Sequence, residues 1–552
     1  MTEPAATSAA AAATPRRAGL LRSSAVFSAM TLLSRISGLV RDQVYANTFG
    51  ASPAMDAFLV AFRIPNFLRR LSAEGSFAMA FVPVLAEYKE KGDRQAVKEL
   101  VDRVTGTLLA ALLVVTAVVV LAAPWVMRVF APGFDPMSEQ GQLAVQMLRI
   151  TFPYLLFISL AALAGGILNS YQRFAVPALS PVLLNLAMIT AALALAPRLQ
   201  QPVMALAWGV FVAGILQLAF QLPSLARLGL LPRPRLAGGH AGVGKVMRLM
   251  VPTLFGSSVA QLNMLLNTVA ASLLVSGSVT WLYFADRLLE FPLGMFGVAI
   301  GTVILPHLSS RHAATDPDGY SKALDWGLRL CLLIGLPACL GLILCAQPLV
   351  STLFQHGRFD ADDTRMAQWA VMALASALPA FLLVKVLAPA FYSRQDTRTP
   401  VKAAVMAVLG NLLVNLLLLA GLVYLTEPGR AALALTGGSP IAALGEIPGA
   451  HVCLAIGTAV AGWLNALQLW WYLRRARVYR REPGWAKFLL RLGVSCLAML
   501  AAVVALLWLW QDWSSWHWSE RAWKLAVVVG AGAAAYVLTL WLQGMRLRDL
   551  RH

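Results

Sequence analysis

From Ala25 onward the sequence is a succession of apolar runs, each about 20 residues long, the length an α-helix needs to cross the hydrocarbon core of a bilayer. Fourteen such runs are distinguishable, at 25–50, 56–85, 105–130, 144–168, 177–196, 203–225, 249–275, 281–306, 324–354, 366–391, 401–425, 450–472, 488–510 and 523–542. Backbone placed in lipid must satisfy its own hydrogen bonds, so runs of this length fold as helices. The expected fold class is therefore an all-α polytopic membrane protein with 14 transmembrane helices. Composition agrees: 59% of residues are hydrophobic and only 13% charged, more apolar surface than a water-soluble core of ordinary size absorbs.

The net charge of +19 would point to nucleic acid in a soluble protein, but here the positions of the charges decide. Numbered from a cytoplasmic N-terminus, the inside loops hold most of the Lys and Arg. They include 87–103, the linker with Arg227, Arg233, Arg235, Lys245 and Arg248, the turn with Arg394, Arg398 and Lys402, the cluster 474–487, and Arg546, Arg548 and Arg551. This asymmetry follows the positive-inside rule and places both termini in the cytoplasm. The basic loops face anionic lipid head groups, and no nucleic-acid partner is needed to explain them. Residues 1–24, rich in Ala, Thr and Pro, lack the apolar core of a signal peptide and are expected to form a disordered cytoplasmic tail. The tryptophans Trp508, Trp510, Trp513, Trp516, Trp518 and Trp523 fit an anchor at the outer interface.

An internal repeat is legible. Ala61-Phe62-Arg63 recurs as Ala285-Asp286-Arg287, Pro124 with Phe130 and Gly133 as Pro348 with Phe354 and Gly357, and Phe134-Asp135 as Phe359-Asp360, all displaced by about 224 residues. The turns at Tyr171-Gln172-Arg173 and Tyr392-Ser393-Arg394 follow at nearly the same offset. Six spans separate the copies, so both run in the same direction through the membrane, as two parallel six-helix repeats with a substrate site where they face each other. The expected domains are an N-lobe at 25–229, a basic cytoplasmic linker at 230–248, a C-lobe at 249–478 and a last helix pair with a cytoplasmic end at 479–552.

Against this apolar background a few polar residues stand out. Arg35 and Arg41 lie inside the first span. An arginine at the centre of a membrane helix costs about 2.5–3.5 kcal/mol on insertion scales, so such residues face water or a paired charge. Ser34 and Arg41, like Arg35 and Asp42, are two helical turns apart and share a face, with Gly38 between them as a place to bend. The second span carries Arg63, Asn66, Arg69, Arg70 and Glu74, and the eighth Asp286, Arg287 and Glu290. A purely structural reading pairs Arg70 with Glu74 and lets Asp286 and Glu290 neutralise Arg287. Basic residues inside the spans nevertheless outnumber the acids available to them, and surplus buried positive charge calls for an anion that comes and goes. Lys385 stands inside an apolar helix and is expected to snorkel or to line the cavity. Asn263, Asn267, Asn411 and Asn415 suit interhelical hydrogen bonding or, as the sharper alternative, a cation site.

Other motifs carry less. The stretch from Gly239 to Val246 resembles a nucleotide loop but has Val where Ser or Thr belongs and no strand before it, so it reads as a flexible basic linker. The acids of 360–363 suit a helix N-terminus better than a metal. Pro400 starts a helix after a cytoplasmic turn. Cys331, Cys339, Cys345, Cys453 and Cys496 have neither disulfide nor zinc spacing and read as small core residues. No metal, cofactor or ATP site is expected.

With Ser34-Arg35-x-x-Gly38-x-x-Arg41-Asp42, Asp56-Ala57-Phe58, Pro65-Asn66-x-x-Arg69-Arg70-x-x-Ala73-Glu74-Gly75, Phe81-Val82-Pro83 and Ala285-Asp286-Arg287-x-x-Glu290-Phe291-Pro292, the chain resembles the MurJ (MviN) family of lipid II flippases. That family belongs to the multidrug/oligosaccharidyl-lipid/polysaccharide exporter superfamily. The resemblance runs from about Ala25 to the C-terminus. It implies two six-helix lobes around a cationic cavity open alternately to each side, and two further helices whose groove takes the lipid tail. The family's functional arginines match Arg35, Arg41, Arg69 and Arg287, and its characteristic acid matches Asp56. The implied function is translocation of lipid II, an undecaprenyl-pyrophosphate disaccharide-pentapeptide, from the inner to the outer leaflet of a bacterial cytoplasmic membrane. Arginine forks match pyrophosphate oxygens bidentately. The drive would be the membrane potential, an ion gradient, or both, and cell-wall synthesis proteins are the partners such a role invites. Two lobes in one chain complete a cavity, so a monomer suffices.

Two other readings were weighed. A flippase for another polyprenyl-linked oligosaccharide shares the chemistry, whereas an exporter of cationic drugs needs an acidic, aromatic site. An enzyme acting on the same lipid needs acids or a nucleophile gathered at one interface, and the sequence has no such cluster.

Overall fold

The computed structural model describes residues 14–71, 77–314 and 316–545, with backbone only at 14–28, 78–79, 251–260, 298–299 and 302. Glu74, Arg546, Arg548 and Arg551 lie outside the described residues, as do the first thirteen of the expected tail. The secondary structure is helical throughout the described residues. The helices are α1 (Thr14–Phe49), α2 (Pro53–Arg69), α3 (Ala78–Glu90), α4 (Arg94–Leu121), α5 (Ala123–Phe130), α6 (Glu139–Thr151), α7 (Tyr154–Ser170), α8 (Ala175–Thr190), α9 (Met204–Arg227), α10 (Ala241–Ser272) and α11 (Ser278–Ala313). They continue with α12 (Pro317–Leu344), α13 (Ala346–Leu353), α14 (Ala361–Ala375), α15 (Leu378–Tyr392), α16 (Arg398–Leu425), α17 (Glu427–Leu435), α18 (Pro440–Leu444), α19 (His451–Arg475), α20 (Trp485–Leu509) and α21 (Trp518–Leu542).

Among the described residues, ten helical stretches are long and apolar enough to cross a membrane: Arg94–Leu121, Glu139–Ser170, Ala175–Arg198, Met204–Arg227, Pro317–Leu344, Ala361–Tyr392, Arg398–Leu425, His451–Arg475, Trp485–Leu509 and Trp518–Leu542. The other four expected spans coincide with α1, α2 with α3, α10 and α11. Those helices carry all four candidate arginines, and polar residues in a span lower its apolar signal.

The chain divides into two compact units. Unit 1 comprises 1–45, 57–129 and 136–261; unit 2 comprises 46–56, 130–135 and 262–552. The division passes through α10 at Gln261 and not through the linker, so the long helix serves both units. In unit 1, α7 packs on α9, α3 and α4, and α8 packs on α9. A core of Phe81, Leu85, Leu100, Ile167 and Leu168 fills the space between them. In unit 2, α11 packs on α14, α15 and α12, and α19 on α16. The last pair, α20 and α21, pack on each other and on α12 and α13 through Leu492, Met499, Val503, Val528 and Tyr536.

Local chemistry explains most boundaries. Asp93 accepts the Gln95 and Ala96 N–H groups at the start of α4, and Asp360 accepts the Asp363 N–H at the start of α14, the capping role its sequence position suggested. The turns after α7 and α15 close alike: Gln172 and Gln395 take positive φ of 59° and 61°. The next N–H in each reaches back to the helix, Arg173 to Leu168 O at 2.9 Å and Asp396 to Phe391 O at 3.0 Å, a left-handed helix stop. The cysteines are free, four of them buried.

Two expectations need correction. α1 begins at Thr14, so the tail expected to be disordered is helical from Thr14 to Ser24; Pro15 suits a first helical turn and the Ala, Leu and Arg that follow favour helix. The linker is not a loose tether. Arg233 N–H donates to Asp102 Oδ1 at 2.8 Å, Arg235 N–H to Asp102 O at 3.0 Å, and Arg103 Nη1 to Ala237 O at 3.0 Å. Buried Asp102, ion-paired to Lys98, thus straps the segment along α4, and the nucleotide-like stretch becomes the first turns of α10.

Candidate functional site

Unit 1 holds Ser34, Arg35, Arg41, Asp42, Asn66, Arg69 and Arg70. On α1, Arg41 is buried, and its Nε and Nη2 lie 3.0 and 2.7 Å from Asp42 Oδ1. Its Nη1 donates to Asn185 Oδ1 on α8 at 3.0 Å, and the guanidinium sits over the Tyr45 ring. The Asn185 amide in turn donates to Ser37 Oγ at 2.8 Å and Ser34 O at 3.1 Å. One buried amide therefore reads two turns of α1. A Cβ at Gly38 would stand 3.6 Å from the Asn185 amide nitrogen, an ordinary contact distance. The helix continues through Gly38.

Asp42, which shares a face with Arg35, pairs with its neighbour Arg41. Arg35 is half-buried, and its side chain makes no hydrogen bond or ion pair with a described residue. On α2, Arg69 Nε donates to Asn66 Oδ1 at 3.1 Å, which helps to aim the guanidinium. Arg63 and Arg70 are half-buried nearby.

Unit 2 holds Asp56, Asp286, Arg287, Glu290, Lys385 and the four asparagines. Buried Asp56 accepts from Gly277 N–H at 2.6 Å, Thr280 N–H at 2.9 Å and Thr280 Oγ1 at 2.6 Å, and so ties down the start of α11. Two turns along α11, Arg287 Nη1 meets Glu290 Oε2 at 2.9 Å and its Nη2 donates to the Tyr283 hydroxyl at 3.2 Å. This pair is open, with 35% and 52% of the two side chains exposed. Asp286 is exposed beside it. Lys385 on α15 is exposed, its stem against Gly297 of α11.

The asparagines do meet. Asn411 Nδ2 donates to Asn263 Oδ1 at 2.5 Å and Asn267 Oδ1 at 2.9 Å, Asn415 Nδ2 to Asn267 Oδ1 at 3.2 Å, and Asn267 Nδ2 to Thr458 Oγ1 at 2.8 Å. They join α10, α16 and α19, and the oxygens of Asn263 and Asn267 are occupied by amide donors. Gly457 of α19 faces this cluster, with Asn411 Oδ1 only 2.7 Å from where a Cβ would stand. Among the described residues no group of three or more His, Cys, Asp and Glu is placed to hold a metal ion.

Sequence reasoning missed Asn185, Tyr283 and Thr458. A lone Asn within the span 177–196 was the available signal for the first, since an amide in lipid needs a partner; a tyrosine or threonine in a span carries no such signal. Chemically, the α1, α2 and α11 guanidiniums present forked donors, the geometry that suits phosphate oxygens.

The family described as lipid II flippase MurJ matches residues 45–522. Over 539 residues the chain is 42% identical to the probable lipid II flippase MurJ of Vibrio cholerae serotype O1, covering 96% of this chain and 98% of that one. It is 42% identical over 538 residues to the lipid II flippase MurJ of Burkholderia cenocepacia, covering 96% and 99%. Its fold is similar to a solved lipid II flippase MurJ in an inward closed conformation, with a TM-score of 0.74 at 24% identity over 95% of this chain and 99% of that one. The helical fold, the guanidiniums on α1, α2 and α11, and a family match over most of the sequence lead to one assignment: the chain belongs to the MurJ lipid II flippase family.

Proposed function

We propose that the protein is a lipid II flippase of the bacterial cytoplasmic membrane, a transporter and not an enzyme. Its fourteen spans would form two parallel six-helix lobes, 25–229 and 249–478, joined by the basic segment 230–248, with the helices of 479–542 as a groove for the prenyl chain and both termini in the cytoplasm. The pyrophosphate is held by Arg35, Arg41, Arg69 and Arg287 in a cavity that opens to one side and then the other. Ser34, Asp42, Asp56, Asn66, Arg70, Glu74, Asp286, Glu290 and Lys385 support them. The polyprenyl chain stays in lipid throughout. No cofactor takes part; the membrane potential or an ion gradient biases the conformational step, at about 2.3 kcal/mol per charge per 100 mV.

The observation that carries this reading is the set of guanidiniums on the helices that coincide with the expected spans, in a chain of this family. Three have partners that orient them: Asp42 and Asn185 for Arg41, Asn66 for Arg69, and Tyr283 with Glu290 for Arg287. A pyrophosphate entering such a site exchanges a weak exposed ion pair for a bidentate one in a medium of lower dielectric.

The test is depletion of the protein in cells, followed by assay of the lipid-linked sugar that builds up on the cytoplasmic side. Lipid II is expected, and accumulation of a different polyprenyl-linked saccharide would redirect the assignment. Arg35→Ala, Arg69→Ala and Arg287→Ala are expected to insert normally and abolish the appearance of lipid II in the outer leaflet. Undiminished translocation in these variants overturns the arginine assignment.

A further inference from the structure

We propose that the cavity where α12, the start of α20 and the segment just after α21 meet is a binding site for the phosphate of an anionic phospholipid, separate from the transport site. It measures about 280 Å³ and is lined by Arg329, Lys487 and Arg491 with Trp326, Phe488 and Met545 among its apolar wall. No acid lines it. This size is close to the lower end of small-molecule sites.

The three cations differ in what holds them. Arg329 is fixed: its Nε lies 2.8 Å from Asp325 Oδ2, its Nη2 donates to Pro483 O at 3.0 Å, and its guanidinium stacks near the Trp485 and Phe488 rings. Asp325 is itself buried and accepts from the Tyr479 hydroxyl and the Trp485 indole, each at 2.7 Å. In that knot one carboxylate answers one guanidinium. Lys487 and Arg491 are left over. The first is exposed, the second half-buried, and neither side chain makes a hydrogen bond or ion pair with a described residue.

Nothing in α20 itself explains them. They stand four apart on one face, where like charges repel, and in the first turns, where the helix macrodipole disfavours a cation. Orientation in the membrane calls for basic residues in loops near the surface, not for three converging on one cavity with an aromatic wall. A bound anion removes both penalties.

The same face of α20 says which anion. Lys487 and Arg491 are followed along that strip by Leu490, Val494 and Leu497, all strongly exposed, and Leu497 lies about 15 Å further along the helix than Lys487. A cationic end that passes into an apolar strip matches a phosphodiester with its acyl chain; a free anion would leave the strip without a use. Basic pockets between membrane helices near a surface are where acidic lipid head groups bind.

The test uses the full-length protein in mild detergent, with bound lipid counted by native mass spectrometry as phosphatidylglycerol or phosphatidylcholine is titrated in. The wild type is expected to take up phosphatidylglycerol at a site that K487Q/R491Q lacks, its affinity falling about fivefold for each cation removed. Phosphatidylcholine is expected to bind both proteins alike. Because Arg329 and Asp325 are untouched, the variant should melt with the wild type in the absence of added lipid, which separates loss of a site from loss of fold. Equal phosphatidylglycerol uptake by the two proteins overturns the proposal. So does displacement of the bound lipid by inorganic phosphate at comparable concentration, which would make the site one for a free anion. Lipid II transport is not the readout, so the result stands apart from the transport assignment.

Discussion

Each unit ties its first long helix to a helix about 150 residues later by side-chain hydrogen bonds, and the two ties use different chemistry. In unit 1 the tie runs from Ser34, Ser37 and Arg41 on α1 to Asn185 on α8, and it contains a buried guanidinium and carboxylate. In unit 2 it runs from Asn263 and Asn267 on α10 to Asn411 and Asn415 on α16, and it is neutral throughout. The first leaves none of the polar atoms of Arg41, Asp42 or Asn185 buried without a partner, whereas Asn411 Oδ1 and Asn415 Oδ1 in the second are orphaned. A buried ion pair contributes little net stability but is costly to break, because the surviving charge has nowhere to go. An amide cluster in lipid is weaker and more forgiving. Geometry in unit 1 is thus held by the penalty for error, and in unit 2 by a sum of small gains.

The largest effect is expected on the ionic side. Arg41→Ala takes from Asp42 the guanidinium 2.7 Å away, in a site where 3% of the carboxylate side chain is exposed, at a cost of about 3–5 kcal/mol. Thermal unfolding in detergent should register this as a marked loss, with transport lost as well. The double variant Arg41→Leu/Asp42→Leu removes both charges and is expected to regain most of the stability while remaining inactive. If the double variant melts as low as the single one, the stranded charge is not the cause and the comparison fails. Arg287 supplies the contrast within the proposed site: its pair with Glu290 is exposed, so Glu290→Gln should shift stability by no more than about 1 kcal/mol.

How these features were legible follows from the physics of the solvent. In lipid, length and apolar composition alone fix a helix, which is why the spans from 366 to 542 fall on α14 with α15, α16, α19, α20 and α21, with their ends displaced. The arginines were legible for the opposite reason, since each violates its surroundings. Partners were harder to see. Helical period placed Asp42 on the face of Arg35 and said nothing of Arg41, but a guanidinium is long enough to fold onto its immediate neighbour, and Asn185 on another helix holds it there. The strap of the linker onto Asp102 was not legible, because main-chain donors such as the Arg233 N–H have no sequence signature. The closing turns at Gln172 and Gln395 were visible as a repeat of residues before their shared left-handed geometry was known.

Asn185 comes next in size. Its single amide serves Arg41, Ser37 and Ser34, so Asn185→Ala leaves a charged donor short of one partner. The expected loss is about 1–3 kcal/mol, below that of breaking the ion pair because Asp42 still neutralises the guanidinium. Asn185→Asp preserves the shape while adding a second acid beside Arg41, and should cost less at low pH than at neutral pH.

The smallest effects belong to the neutral tie, and they sharpen the contrast because they should be graded. Asn411 donates to two oxygens and Asn415 to one. Interhelical hydrogen bonds in membrane proteins average about 0.6 kcal/mol and reach about 1.7, so Asn411→Ala is expected near the upper figure and Asn415→Ala near the lower. Both substitutions also delete an orphaned oxygen that had to be desolvated without return, which pulls the net cost down further. The two oxygens crowd Gly457, where there is no side chain to receive them; Gly457→Ala should therefore be worse than either asparagine change, because a methyl group meets Asn411 Oδ1 inside contact distance. Melting temperatures for the three variants in one detergent settle the order. A loss at Asn415→Ala as large as at Arg41→Ala would mean that the amide cluster, too, holds its helices by the penalty for error, and the difference between the two ties would disappear.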